Sequence, residues 1–249
     1  MIIIIITAIY FLIVLSFLIA LFFPNRNRTN KKVFISVVIA ARNEEKNIGN
    51  ILNHLINQTY PRELYEIIIV NDGSEDRTGE IINEFARKHS NIRHIRAKVD
   101  KTTGLTAKKN ALNQGIQQSK GELILSTDAD CHVKPSWIET MVSYFTDDVG
   151  MVVGFSQFGH PGGKYSVFEQ LQAIDFLSLM GAAQGSINLG CPLAASGQNI
   201  AYRRKTFDEI NGFQRVKDRV SGDDVLLLQL IYKLTDWKIR FASSPQSFN

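Results

Sequence analysis

An apolar run, 122–127 (ELILST), leads straight into Asp128-Ala129-Asp130. Side chains alternate along an extended chain, so both carboxylates would point the same way. Two like charges held together repel unless a proton or a cation sits between them. A hard divalent ion with oxygen ligands, Mg2+ or Mn2+, meets that demand and usually shares its shell with phosphate. The plainer role is a turn with two solvated acids. A second acidic pair, Asp223-Asp224, precedes Val225-Leu226-Leu227-Leu228. Acids are stabilised at a helix N-terminus in any case, but a carboxylate within hydrogen-bond reach of a sugar hydroxyl can also take its proton as a general base. Asp72, in Val70-Asn71-Asp72-Gly73-Ser74, has two available roles. One is an Asx-turn before a helix capped by Ser74, with Glu75 and Asp76 on the helix dipole; the other is accepting hydrogen bonds from a nucleotide base or ribose. Lys108 opens a helical segment behind Thr106 and is placed to face a phosphate, although Lys109 beside it offers the same charge. His132, two residues from Asp130, could complete a metal shell, but the five histidines show no metal-ligand spacing. Cys131 and Cys191 form no CxxC, which excludes a disulfide scaffold or a zinc knuckle and fits a reducing compartment. No P-loop, GxGxxG or GxSxG pattern is present.

These residues need a frame that brings them together, and the hydrophobic pattern predicts one. Residues 33–41 (VFISVVIAA) read as a strand buried on both faces. Residues 45–57 carry Ile48, Ile51, Leu52, Leu55 and Ile56 at helical spacing. A strand at 66–70, a helix at 75–88, a strand at 91–96, a helix at 106–117 and a strand at 122–127 follow. The helix at 106–117 turns Ala111, Leu112, Gly115 and Ile116 inward. Strands alternating with helices of this length predict an α/β fold of parallel βαβ units with right-handed crossovers. In such a sheet ligands bind beyond the carboxyl ends of the strands. Three strand ends turn abruptly polar there: Ala41-Arg42-Asn43-Glu44, Asn71-Asp72-Gly73-Ser74 and Asp128-Ala129-Asp130. Beyond about Val149 the rhythm changes. The pattern predicts strands at 151–155, 198–202 and 237–242 and a helix at 225–234. Another helix is expected at 168–183, apolar on more than one face. Loops are expected at 159–163 and 185–197.

The first 23 residues belong to no globular core. Residues 2–23 carry no charge, and at 1.5 Å per residue they would span a hydrocarbon layer of about 30 Å. The stretch is too long for a signal-peptide core and lacks a basic leader. Arg26, Arg28, Lys31 and Lys32 follow it and no cation precedes it, so the positive-inside rule puts the rest of the chain in the cytoplasm and the N-terminus outside. Those cations are also placed to hold anionic headgroups. The chain of 249 residues has 28 basic and 24 acidic side chains, so without that stretch the charges balance. This excludes a general nucleic-acid binder, which would spread Lys and Arg over a face.

Six segments, taken in order, resemble the inverting family-2 glycosyltransferases of GT-A fold. They are SVVIAARNEE (36–45), VNDGSEDRT (70–78), KKNALNQGI (108–116), DAD (128–130), GQNIAYR (197–203) and GDD (222–224). The likeness is collinear over residues 33–242. It implies a mainly parallel sheet flanked by helices and preceded here by one transmembrane helix. It also implies a nucleotide-sugar donor, usually a UDP-sugar, a divalent metal, and single-displacement transfer of a hexosyl group with inversion. By the same resemblance Ala41, Arg42, Glu44 and Asp72 match positions that hold the nucleoside. Lys108 and Asp128 match donor positions, Asp130 matches the metal ligand with Asp128 beside it, and Asp224 matches the catalytic base. Ala107 departs from the glycine usual before the lysine. Asp223 departs from the commoner Glu, which leaves the choice of base between Asp223 and Asp224 open. The Gln-x-x-Arg-Trp segment and later membrane helices of processive members are not in this sequence, and a partial chain is expected. The expected organisation is an anchor (1–24), a basic linker (25–32) and a transferase domain (33–249). That domain divides into a nucleotide-sugar half (33–148) and an acceptor half (149–249). Placement beside the membrane points to a lipid-linked or growing polysaccharide acceptor. Two rival readings share these residues: a sugar-phosphate nucleotidyltransferase, and a non-catalytic membrane-anchored nucleotide-sugar-binding module.

Overall fold

The structure, a computed structural model, describes residues 1–24, 26–98, 104–105, 107–159, 165–217, 219 and 222–249. Asn25 at the head of the linker, Thr106, and residues 160–163 of the expected loop with 164 after it lie outside the described residues. In chain order the elements are α1 (Ile2–Leu21), β1 (Ile35–Ala41), α2 (Ile48–Ile56), β2 (Tyr65–Asn71), α3 (Thr78–Lys88), β3 (Ile92–Arg96), α4 (Ala107–Gln117), β4 (Leu123–Ser126), α5 (Trp137–Ser143), β5 (Val149–Gly154), α6 (Val167–Asn188), β6 (Ile200–Arg203), α7 (Arg204–Glu209), α8 (Asp223–Leu234) and β7 (Lys238–Ala242).

Seven strands form one sheet in the order β3-β2-β1-β4-β6-β5-β7. The pairs β3–β2, β2–β1, β1–β4 and β5–β7 are parallel, whereas β6 runs antiparallel to both β4 and β5. The α/β expectation therefore holds, and one reversed strand joins the two halves of the chain into a single sheet. Strand alternation divides the apolar side chains between two layers. Ile35, Val37 and Ile39 face α2, α3 and α5, where Leu52, Ile82 and Trp137 pack. Val38, Ile68 and Ile124 face the other layer, built from Leu112 and Ile116 of α4, Ala183 of α6, Phe207 of α7 and Leu227 of α8. Covering both faces explains why the central strands read as unbroken apolar runs. Helix α4 lies unusually close to the sheet: a Cβ on Gly115 would stand 2.6 Å from Val38 Cγ1.

Helices α2 and α3 start later than their periodicity predicts. The turns ahead of them are held in cross-links between the loops that follow β1 and β2. Asn43 N–H donates to Ser74 Oγ (3.0 Å), Glu44 N–H to Thr78 Oγ1 (2.7 Å), Glu45 N–H to Asp76 Oδ2 (3.1 Å) and Glu75 N–H to Asn43 Oδ1 (2.9 Å). The short helices α5 and α7 were not expected from the sequence; seven and six residues carry too little periodicity. Helix α6 runs through to Asn188, so the loop expected from residue 185 begins later. Gly185 serves helix packing instead, since a Cβ there would meet the Phe17 carbonyl of α1 at 2.7 Å.

Helix α1 is long and apolar enough to cross a membrane by length and composition. Its only buried residue is Ala20, whose carbonyl accepts a hydrogen bond from Asn188 Nδ2 (3.0 Å). The linker after it is fastened to the domain. Thr29 N–H donates to the Ser143 carbonyl (2.7 Å), Lys31 pairs with Asp147 (2.7 Å), and Arg240 Nη1 donates to the Asn27 carbonyl (3.1 Å). The Arg28 guanidinium lies 3.4 Å from the centre of the Tyr144 ring. Lys32 lies over the Tyr60 ring (6.0 Å), so three of the four linker cations turn toward protein groups.

Candidate active site

The parallel strands β1, β2 and β4 end side by side, and their polar ends form one rim. Asp72 N–H donates to the Ala41 carbonyl (2.9 Å), which ties the ends of β2 and β1 together. The turn after β2 is organised by Asn71, whose Oδ1 accepts from Ser74 N–H (2.9 Å), and Thr78 N–H is held by Asp76 Oδ1 (3.0 Å). The turn and capping roles considered for Asp72 and Ser74 therefore fall to Asn71 and Asp76. The Asp72 side chain is left on the wall of a cleft of about 350 Å³, together with Ala41, Arg42, Glu44, Lys108, Asp128 and Asp130.

A second cleft, of about 420 Å³, adjoins the first through Lys108 and Asp128, which line both. These two side chains form an ion pair across the boundary. The far wall of the second cleft is the start of α8, with Asp223 and Asp224. Gly222 takes the left-handed conformation there (φ 79°), which lets the chain turn sharply into the helix. Asp224 is fixed at both oxygens. Its Oδ2 accepts from Gly197 N–H (2.6 Å) and its Oδ1 from Val225 N–H (2.8 Å). Asp130 also borders a third cleft of about 400 Å³, with His132, Gln157 and Asn249, and Phe176 of α6 lines both this cleft and the second. All nine residues singled out from the sequence thus meet around one connected cavity system. A larger cleft of about 640 Å³ lies at the opposite strand edge beside Arg203 and Glu122. There Arg203 pairs with Glu122 at 2.8 Å.

The electrostatics of the two lysines differ. Burial alone would lower the Lys108 ammonium, but the Asp128 carboxylate, backed by Asp224 and Asp223, outweighs it and holds the pKa above its ordinary value. Lys109 points the other way. It is 1 % exposed, donates to the Val216 carbonyl (3.0 Å) and lies 3.5 Å from Asp223 Oδ1. Burial raises the Asp223 carboxyl above the usual range, against the pull of Lys109 and then Lys108. Lys109 as a buried counter-charge and the Gly197 N–H were not foreseen. A lone lysine carries no burial signal, and a backbone donor carries no side-chain signal. Gly197 does open one of the segments on which the resemblance rests.

The donor set at the rim suits a divalent cation. Asp128 is engaged by Lys108, so Asp130 is the exposed carboxylate at the junction of two clefts. Among the described residues no cluster of three His, Cys, Asp or Glu side chains is present. One or two carboxylates completed by phosphate oxygens and water is the shell that Mg2+ commonly takes.

Comparison with known proteins decides the family. The model for glycosyl transferase family 2 matches residues 36–210. The chain belongs to this family. A relative, the probable glycosyltransferase YdaM of Bacillus subtilis, is 32 % identical over 83 % of this chain and 48 % of its own length. The poly-beta-1,6-N-acetyl-D-glucosamine synthase of Staphylococcus epidermidis is 28 % identical over 83 % of this chain and 47 % of its own. The chain thus spans about half the length of these relatives. Among solved structures, the mannosyltransferase PcManGT from Pyrobaculum calidifontis, in complex with GDP-Man and Mn2+, superposes with a TM-score of 0.72 at 18 % identity. It covers 97 % of this chain and 65 % of that one. TarS 1–349 of S. aureus, in complex with UDP, gives a TM-score of 0.60 at 19 % identity over 85 % of this chain and 59 % of that one. At these identities the likeness establishes the GT-A fold.

Proposed function

We propose that this chain transfers a sugar from a nucleotide sugar, a UDP-sugar, to a lipid-linked or polysaccharide acceptor by a single displacement that inverts the anomeric carbon. The observation that carries the reading is the shared wall. The cleft of Asp72, Arg42 and Glu44 and the cleft of Asp224 meet at the Lys108–Asp128 pair. A nucleoside in the first cleft would place its diphosphate at that boundary, and an acceptor in the second would approach the sugar from the side of Asp224.

In this mechanism Asp72 and Glu44 accept hydrogen bonds from the nucleoside, while Arg42 lies on the open side. The acceptor oxygen attacks the anomeric carbon as the bond to the diphosphate oxygen breaks, and that electron pair leaves with the diphosphate. Asp224 takes the hydroxyl proton; its two backbone hydrogen bonds fix its direction beforehand, which is where preorganisation acts. Asp223, held by Lys109, supports that position. Asp130, with Asp128 beside it, would hold Mg2+ or Mn2+, which when bound supplies Lewis-acid stabilisation of the charge developing on the leaving group. Lys108 meets the same charge. The mannosyltransferase with GDP-Man and Mn2+ and the TarS complex with UDP support this class of donor and metal. The polysaccharide synthase among the relatives supports the class of acceptor.

Residues 1–24 serve as a membrane anchor and 25–32 as a linker. Residues 33–148 form the donor half and 149–249 the acceptor half, in the cytoplasm. The reading is tested by incubating the purified chain in detergent with UDP-sugars and Mn2+. Release of UDP supports transfer or donor hydrolysis, whereas no UDP from the UDP-sugar, together with pyrophosphate release from UTP and a sugar 1-phosphate, would identify a nucleotidyltransferase. Titration calorimetry of Asp130→Ala should show loss of the Mn2+-dependent part of UDP affinity. Equal affinity of the unsubstituted chain with metal and with chelator would remove the metal from the scheme.

A further inference from the structure

The first half of α6 carries Val167, Phe168, Leu171, Ile174, Leu177 and Leu179, all between 49 and 75 % exposed. A helix laid on a sheet normally turns such side chains inward. Here the inward side holds Phe176 and Met180 instead, and Val167, Leu171 and Ile174 follow one another along the outward side at helical spacing. An apolar row of this extent marks contact with another apolar phase rather than with water. Glu169, Gln170, Gln172 and Asp175 are interspersed with it, too many polar groups for a spanning helix but compatible with the headgroup–acyl boundary.

The neighbouring element identifies that phase. Helix α6 packs directly on α1, with Gly185 against Phe17 and Asn188 bonded to Ala20. The apolar row thus belongs to a helix whose second half touches the end of the uncharged α1, and the side chains of α1 from Ile2 to Ile13 are exposed as well. We infer that the first half of α6 lies shallowly in the bilayer beside α1, which rests on the reading of α1 as a membrane anchor. Its outer side then meets lipid while its inner side, through Phe176, walls the clefts of Asp224 and Asp130. The acceptor this arrangement fits is a hydroxyl carried by a membrane lipid, reaching Asp224 along α6 without leaving the membrane surface.

The full chain, reconstituted in phosphatidylcholine–phosphatidylglycerol vesicles, tests this with single added tryptophans and nitroxide-labelled lipids. The chain's own tryptophans are Trp137, fully buried, and Trp237, half-buried, so a Trp237→Phe background is used and the remaining Trp137 signal is subtracted. Leu12→Trp reports on α1; Ile174→Trp and Leu171→Trp report on α6, all at exposed positions where the fold tolerates the change. The expected result is deep quenching at position 12. Positions 171 and 174 should show blue-shifted emission losing roughly half its intensity to a label near the headgroups. Quenching at 12 without quenching at 171 or 174 overturns the inference and leaves the anchor standing. A blue shift at 174 that ignores lipid labels means that protein covers this face, and also overturns it. Absence of quenching at all three positions overturns the anchor and the inference together.

Discussion

At the scale of single residues the two acids at the start of α8 should separate cleanly. Asp224→Asn keeps the shape and one hydrogen bond but cannot accept a proton, so turnover should fall by about 10²–10⁴-fold with donor affinity unchanged. The same change at Asp223 should cost less in rate. Full turnover in Asp224→Asn with loss in Asp223→Asn would reverse the assignment, and a large drop in donor affinity would move Asp224 to the nucleotide site. Lys109 governs a different quantity. Lys109→Met leaves the Asp223 carboxylate partly buried without its first counter-charge, a change expected to cost about 2–4 kcal/mol. Asp223 has a raised pKa in the fold, so the native state holds its proton more tightly than the unfolded chain. Its contribution to stability therefore falls as pH rises from the unfolded carboxylate value, about 3.9, through the raised folded one. Lys109→Met should steepen that decline and Asp223→Asn should abolish it, as urea melts across pH 4 to 7 in detergent would show. Of these features the acids were legible in the sequence, because acidic residues directly after apolar runs are conspicuous. The pairing of Lys109 with Asp223 was not, because the partners come from distant segments and meet only when α4 and α8 pack on the same sheet face.

At the scale of elements, α4 sets the position of Lys108, and its closeness to the sheet depends on Gly115. Alanine there improves helix propensity by about 1 kcal/mol, but the added methyl would press on Val38 and Val70. Overpacking of that kind costs about 1–3 kcal/mol and displaces the helix. Gly115→Ala should therefore be mildly destabilising by thermal unfolding and should also weaken UDP binding, since Lys108 moves with α4. Asn199 is the corresponding fixture for the reversed strand. Its Oδ1 accepts from Trp137 Nε1 (2.9 Å), and its Nδ2 donates to the Phe155 carbonyl (2.9 Å) and the Ser247 carbonyl (2.7 Å). Asn199→Ala orphans these buried groups and should lower stability by about 2–4 kcal/mol in the same assay. The elements best read from sequence were β1, β2 and the body of α2 between them, where the periods of two layers repeat without interruption. The starts of α2 and α3 were not legible, because the turns before them are shaped by cross-links to a loop distant in sequence.

At the scale of the whole molecule, Arg28, Lys31 and Arg240 clamp the linker against α5 and the strand edge, and α6 braces α1 from the side. The domain is thereby held at one height and one tilt relative to α1. An Arg28→Ala, Lys31→Ala double variant should loosen residues 26–33, seen as faster amide hydrogen exchange there, with little change in the exchange of β1 and β2. On the proposed reading, a domain so braced and an acceptor carried by the same bilayer would meet in two dimensions. Encounter frequency is then set by molecules per unit area instead of per unit volume. Fusing empty lipid into vesicles that carry fixed amounts of enzyme and lipid-borne acceptor should slow turnover in proportion to the added area. Diluting the whole suspension with donor-containing buffer should leave the rate per enzyme unchanged.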